Sequence, residues 1–548
     1  MALGAPSADD IVDIAIVGGG VAGAYAGYRL LRSNPSDHPV LADLCRRSGR
    51  NRLRTEIFEW SERIGGRLWS VKLPGLPDVP AEMGGMRFLE SMQNIYGLCK
   101  KELGLDVVSF DFQDNIQFLR NRRFNFADYK DSSKVPYELA PDELGKSWMD
   151  HVSNAIAEFV PEYKEHEGEA LMEYLRNAKI STGVFRDKPL HELGFWSLLA
   201  NKLSIEAYNL LIDASGYYSI YGSCNAYIAI LDYARNYADM NYYCLKAGYQ
   251  ALPITLGQHY ENMGGKISLL AQVSRLDRET HNGEDLVKLT FGTPSKGAVE
   301  HRFARHVILA LPQRGLQLLD QESFIFANAD FVDDINSVTP QYSSKLFLTF
   351  DHAWWKDLDP PIVRGRSDTD LPLRQCYYFG TQPTGPTAGM ALMMASYNDG
   401  RAQNFWDSFL PRSKHGAHKT SVPYINTLRP TEDDRLAAPP EMVSEIRRQL
   451  GGMHGLEIPQ PNSAIFHNWV EDPSGGGWYF WNPYAKSWEI APRVRRPLAD
   501  ANLYVCGSCF SENQGWVEGA LNSTDMMLMT YFGLAKPSWV KPDYYLGP

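Results

Sequence analysis

The sequence predicts an α/β fold, and three observations carry that prediction. Residues 12–17, VDIAIV, form a short run rich in β-branched apolar residues, as a buried parallel strand requires. Gly18, Gly20 and Gly23 follow at once in G-x-G-x-x-G spacing, and an Ala- and Leu-rich helical pattern begins at Val21. Strand, glycine turn and helix in this order make a Rossmann-like, dinucleotide-binding unit. Gly18 allows the tight turn, Gly20 lets backbone approach a pyrophosphate, and Gly23 lets helix and strand pack closely. The helix N-terminus, with Val21 and Ala22, then faces the anionic phosphates.

An acidic residue for the ribose is expected about 20 residues after the glycines. A polar, basic stretch occupies residues 32–54 instead and reads as a long surface excursion. The second strand is TEIFEW at 55–60, with Glu59 near its C-terminal end and Trp60 beside it.

Composition limits what the protein can do. The chain has 548 residues, enough for two or three domains, with 44% apolar and 22% charged residues. A net charge of −11 without a basic tract argues against nucleic acid as a partner. No apolar run reaches the ~18 residues of a membrane span. The opening MALGAPSADD lacks the basic and apolar regions of a signal peptide, so a cytoplasmic location is the expectation. Seven scattered cysteines do not make a disulfide framework. Cys506 and Cys509 form a C-x-x-C, but without a second pair or a histidine at ligand spacing they read as small residues in a turn, and no metal is expected.

After Glu59 come Gly65-Gly66-Arg67, and then Gly84-Gly85-Met86-Arg87 within VPAEMGGMRF. With the glycine motif, these segments resemble the successive N-terminal signatures of the flavin-dependent amine oxidase family. The later two have no place in a nicotinamide dehydrogenase, so the resemblance implies FAD. It extends along the chain: GYQALPITLGQHY reads as a loop entering a helix, KISLLAQVSRLDRE as a strand, and FARHVILALP as another. NLYVCGSCFSENQGWVEGAL is similar to the family's last flavin-binding strand and helix. The implied architecture has an FAD domain in three pieces, 1–74, 244–335 and 485–548. A β-rich substrate domain takes 75–135 and 336–484, and an inserted helical domain takes 136–243.

The resemblance also assigns roles. Glu59 accepts from the ribose hydroxyls, Arg67 neutralises FAD phosphate, and Val273 contacts adenine through its backbone. Gly507 and Ser508 stand where many members carry Gly-Glu at the ribitol, a departure that moves the sequence toward tryptophan 2-monooxygenases and L-lysine oxidases/monooxygenases. Gly515, Trp516 and Val517 lie beside the flavin, and Trp478 supplies the opposite wall. SGGGWY lacks the cysteine of the covalent-flavin branch, so FAD is expected to be non-covalent.

Arg87, among Gly84, Gly85, Met86 and Phe88, needs an anion. A salt bridge to Glu82 or Glu90 would supply one. In L-amino acid oxidases this arginine clamps the substrate carboxylate, a purpose absent in oxidases of simple amines. SSKLFLTF alternates as a strand with Lys345, Phe347 and Thr349 on one face. The resemblance puts Lys345 against flavin N5 where oxygen reacts, whereas an edge-strand lysine would simply reach water. Tyr377 and Tyr378 must face opposite ways, and Tyr378 is preferred as the phenol that joins Arg87. Residues 213–244 hold eight tyrosines with Asp213, Asp232 and Asp239, read either as helical core or as a wall around the substrate side chain. A carboxylate there, taken first as Asp213, would favour lysine or arginine.

The expected activity is oxidative deamination of free L-amino acids by oxygen, giving a 2-oxo acid, ammonia and hydrogen peroxide. Its alternatives are a 2-monooxygenase that yields amides and, more remotely, a non-catalytic FAD-binding protein. A homodimer is expected because relatives form them.

Overall fold

The computed structural model describes residues 10–110, 113–220, 222, 224–236, 241–293, 298–410, 436–471 and 473–548. Tyr221, Tyr237, Asp239 and the N-terminal stretch 1–9 lie outside them.

The strand Ile11–Val17 is buried at every position and pairs in parallel with Thr55–Phe58 on one side and Ala298–Leu309 on the other. Lys266–Ser268 and Leu503–Val505 extend this parallel arrangement, and the antiparallel strands Gln272–His281 and Glu284–Thr293 complete a seven-stranded sheet. The helices Val21–Arg32 and Val517–Phe532 pack against each other, with Ala22, Ala26 and Leu30 of the first in one buried cluster with Ala520, Met527 and Leu528 of the second. Small residues on the first helix permit this approach. A Cβ on Gly23 would stand 1.9 Å from the Gly18 carbonyl oxygen, so only glycine lets the helix sit this close to its strand.

Two expectations are refined here. The excursion at 32–54 contains the helix Pro39–Ser48, which buries Leu41, Leu44 and Cys45 on one face. The segment 266–279 forms two strands, interrupted at Leu270, whose φ of 54° breaks the extended backbone.

A second seven-stranded sheet runs in the order Ser463–Asn468, Ser343–Phe350, Ala391–Asp399, Gln375–Thr381, Arg366–Thr369, Asp114–Leu119 and Arg122–Asn125. Ser343–Phe350 is interior to this sheet, and its two faces separate cleanly. Leu346, Leu348 and Phe350 join a cluster with Trp354, Trp355 and Trp406, while Phe347 joins one with Trp69, Met86 and Trp469. In sequence, between Arg122–Asn125 of this sheet and Lys266–Ser268 of the first, come the helices Trp148–Phe159, Gly168–Asn177, Phe195–Lys202, Ile205–Ser215 and Ala226–Asn236. Their apolar faces share one buried cluster with the first sheet. No helix among the described residues is long and apolar enough to cross a membrane.

Candidate active site

Four parallel strands of the first sheet end at one cavity of about 330 Å³, contributing Gly18, Glu59, Leu311 and Gly507 from just beyond their C-terminal ends. The carboxyl edge of a parallel α/β sheet is where such folds hold nucleotides. The second sheet adds Ser343, Lys345 and Tyr397, and the helical segment adds Tyr217, Ile228 and Asp232.

The sequence-predicted cofactor residues Gly18, Gly20, Val21, Ala22, Glu59 and Trp60 all line this cavity, as do Gly66, Arg67, Gly84, Gly85 and Met86. So do Val273, Gly507, Ser508, Gly515, Trp516 and Val517. Gly23 stands behind the cavity, holding helix to strand. Glu59 is locked before any ligand arrives: Oε2 accepts from the Gly19 N–H at 2.6 Å, and Oε1 accepts from the Ser61 N–H and hydroxyl at 2.8 and 2.7 Å. The glycine turn is fastened by Arg63, which the sequence reading missed; its guanidinium donates to the carbonyls of Gly66 and Leu68. Arg67 donates to the Gly477 carbonyl at 3.1 Å and to Ser508 Oγ at 3.3 Å.

These residues suit a dinucleotide with an anionic centre. Helices Val21–Arg32 and Val517–Phe532 both begin on the cavity wall without a side-chain cap, leaving first-turn N–H groups directed toward it. A Cβ at Gly20 would project into space, its nearest neighbour being Gly66 Cα at 3.9 Å, so the backbone there lies open to a ligand. Glu59 and Arg67 add a hydroxyl acceptor and a phosphate donor.

At the other end stand Lys345, Trp478, Trp516, Tyr397 and Arg87. Lys345 is 3% exposed, which rules out the edge-strand reading. Its ammonium donates to the carbonyls of Glu82 and Gly84, at 3.0 and 2.5 Å, and lies 4.8 Å from the Tyr397 ring centre. Burial pushes the Lys345 ammonium down from its usual range and the Glu82 carboxyl up, while each partly restores the other's charge. Glu82 itself accepts from Ser70 Oγ and the Tyr249 N–H. The rings of Tyr217, Tyr397 and Trp478 meet edge to face, with centroids 5.7, 6.3 and 6.4 Å apart.

Arg87 enters the cavity through an aromatic collar, its Cζ 4.1 Å from the Tyr242 ring centre, 5.5 Å from Phe110 and 5.7 Å from Tyr377. The expectation for Tyr378 is corrected here. Strand alternation turns Tyr378 away into the Trp354/Trp355 cluster, where its hydroxyl meets Ser367 Oγ and His454 Nε2, both at 2.7 Å. Tyr377 is the member of the pair on the Arg87 side. It stands behind Arg87, and its hydroxyl donates to Gln375 Oε1 at 3.0 Å.

Asp213 is corrected as well. It accepts from the Tyr137 hydroxyl and lies 3.7 Å from Arg374, outside the cavity lining, whereas Asp232 is on the wall. Tyr217 belongs to the tyrosine-rich stretch read as a candidate wall, but nothing local marks it or Tyr397 as the tyrosines that the tertiary fold turns inward. Cys506 and Cys509 are free thiols, and no cluster of potential metal ligands occurs among the described residues.

A sheet whose parallel strands end at a glycine cradle, joined to a second sheet that carries a buried lysine and aromatic walls, has the architecture of a dinucleotide-binding enzyme. Residues 43–524 match the family described as flavin containing amine oxidoreductase, and the chain belongs to that family, with FAD as its cofactor. Aplysianin-A of Aplysia kurodai is 26% identical across 96% of this chain and 91% of its own. Tryptophan 2-monooxygenase of Rhizobium rhizogenes is 23% identical across 93% of this chain and 65% of its own. The solved structure of putrescine oxidase with putrescine bound shares the fold, with a TM-score of 0.62 and 15% identity over 94% of this chain and 98% of that one.

Proposed function

We propose that this protein oxidises free L-amino acids with oxygen to imino acids and hydrogen peroxide, the imino acid then being hydrolysed by water to a 2-oxo acid and ammonia. The observation that carries the reading is Arg87. A guanidinium held by three aromatic rings on the wall of an otherwise largely apolar chamber is suited to pair with a ligand's carboxylate, and an arginine fork matches that group. Amine substrates without a carboxylate have no use for it. FAD, when bound, supplies the hydride acceptor and hands the electrons to oxygen. Arg87 anchors the carboxylate, and Tyr217, Tyr397, Trp478 and Trp516 confine the Cα and exclude water. Lys345, fixed by two carbonyls, holds a cation where negative charge develops during oxygen reduction.

Asp232 supports a narrower reading. It stands on the wall with Ile220, Ile228 and Ala229, so a methylene stem ending in a cation matches this surface better than an aromatic side chain. The test is an aerobic panel of L-amino acids, D-enantiomers and polyamines, following peroxide and identifying carbon products by mass spectrometry. L-Lysine and L-arginine are expected to lead, with 2-oxo acids and peroxide as products. Turnover of polyamines alone would overturn the reading. Amides with carbon dioxide would establish the 2-monooxygenase alternative, which the similarity to tryptophan 2-monooxygenase keeps specific.

A further inference from the structure

Behind Arg87 a single buried amide ties together two walls of the chamber. Gln375 is fully buried, and its side-chain orientation is fixed by what surrounds it. Oε1 accepts from the Tyr377 hydroxyl at 3.0 Å and from Arg366 Nη1 at 3.2 Å. Nε2 donates to the Gly216 carbonyl at 3.1 Å. Reversing the amide would set its N–H groups against the Arg366 donor and its oxygen against the Gly216 carbonyl, so one orientation satisfies the network. Arg366 is in turn held by Asp114 and Asp368, at 2.9 and 3.3 Å.

The two arms of Gln375 lead to different parts of the chamber. One fixes the phenol of Tyr377, whose ring faces the Arg87 guanidinium. The other fastens the backbone just before Tyr217, a wall residue that meets Trp478 and Tyr397. Gly216 has a φ of 79°, and a Cβ there would stand 2.4 Å from Gln375 Cγ, so the glycine is seated directly on this side chain. Beyond Tyr217, Asp399 accepts from the N–H groups of Tyr218 and Ser219, both at 2.8 Å. Tyr217 is therefore held between two fasteners, of which Gln375 alone also reaches the Arg87 collar.

We propose that Gln375 is a positioning residue for the substrate carboxylate, setting Tyr377 against Arg87 and registering the Tyr217 wall to the same point. The inference rests on the proposed carboxylate role of Arg87. It makes Tyr377 a support for the arginine, its hydroxyl proton given to Gln375.

The test uses FAD-loaded protein and two probes derived from lysine, each followed by its perturbation of the flavin absorption. 6-Aminohexanoate keeps the carboxylate and lacks the α-amino group; cadaverine lacks the carboxylate. Gln375→Leu is expected to weaken 6-aminohexanoate about tenfold, the effect of roughly one lost buried hydrogen bond, with cadaverine binding and FAD content as in wild type. Gln375→Glu keeps acceptors for Tyr377 and Arg366 but sets an oxygen against the Gly216 carbonyl, so it is expected to recover only part of the lost 6-aminohexanoate affinity. Tyr377→Phe breaks the same bond from the other end with little change of shape, so the test stands even if Gln375→Leu fails to fold. Equal affinity of wild type and both disrupted variants for 6-aminohexanoate would overturn the inference, as would an equal loss for both probes. A wild-type enzyme indifferent to 6-aminohexanoate and to every L-amino acid would instead overturn the reading of Arg87.

Discussion

Lys345 shows what one residue gains from burial. An unpaired ammonium in an apolar strand is costly, and here two carbonyls from the Glu82–Gly84 turn meet it. Lys345→Met is expected to leave anaerobic flavin reduction by substrate largely intact and to slow reoxidation by oxygen about 10²-fold, the scale of losing one preorganised charge. Stopped-flow traces of the two half-reactions separate these effects, and equal slowing of both would count against a role confined to oxygen. Because burial lowers the Lys345 ammonium, its cationic form is lost as pH rises at values below those of an ordinary lysine. The oxygen half-reaction should therefore decline with rising pH earlier than exposed lysines titrate. At Asp232, Asp232→Asn is expected to raise KM for L-lysine about tenfold while barely altering L-leucine. Comparable changes for both substrates would remove Asp232 from side-chain selection.

Elements explain why part of the site was legible and part was not. The first strand, glycine turn and helix follow local rules, so Gly18, Gly20 and Gly23 announce their geometry in sequence. The alternation of Ser343–Phe350 likewise places Lys345 opposite Leu346 and Leu348. Tyr377 and Tyr378 mark the limit, because alternation requires them to part but cannot say which face meets Arg87. The deciding contact comes from a helix some 76 positions away. His454, the last residue of Pro440–His454, meets the Leu450 carbonyl through Nδ1 at 2.8 Å and the Tyr378 hydroxyl through Nε2. Asp213 and Asp232 pose the same problem within one tyrosine-rich stretch, since only tertiary packing brings one of them to the chamber.

The pin between this helix and the sheet has a signed pH dependence. Burial pushes His454 down to about 4, below the unfolded value of 6.5. Between these values the unfolded chain binds the extra proton, so the stability supplied by neutral His454 is complete above pH 6.5 and lost as pH falls through 4. The unfolding free-energy gap between wild type and His454→Leu should be widest near pH 7–8. It should narrow by about 1.4 kcal/mol per pH unit below 6.5. A gap constant from pH 8 to 4 in urea titrations would mean that His454 is not held neutral.

At the scale of the whole molecule, the cavity is assembled from both ends of the chain: Gly18 and Arg67 from the first hundred residues, Ser508 and Val517 from the last fifty, and walls from between. A ligand that touches all of these binds the folded chain and has nothing comparable to hold in the unfolded one. FAD at a hundred times its Kd should therefore add about 2.7 kcal/mol to the stability of the whole protein. The same cavity argues for a removable cofactor. Cys224 and Cys509 are on its wall, but burial raises both thiols, Cys509 to about 12, which disfavours thiolate attack on the flavin. Acid precipitation is expected to leave all the yellow colour in the supernatant. The apoprotein should melt at lower temperature, and added FAD should restore the holoprotein's melting temperature and spectrum. Flavin that stays with the precipitate would show a covalent bond, and an apoprotein as stable as the holoprotein would mean that FAD does not bridge the segments gathered around this cavity.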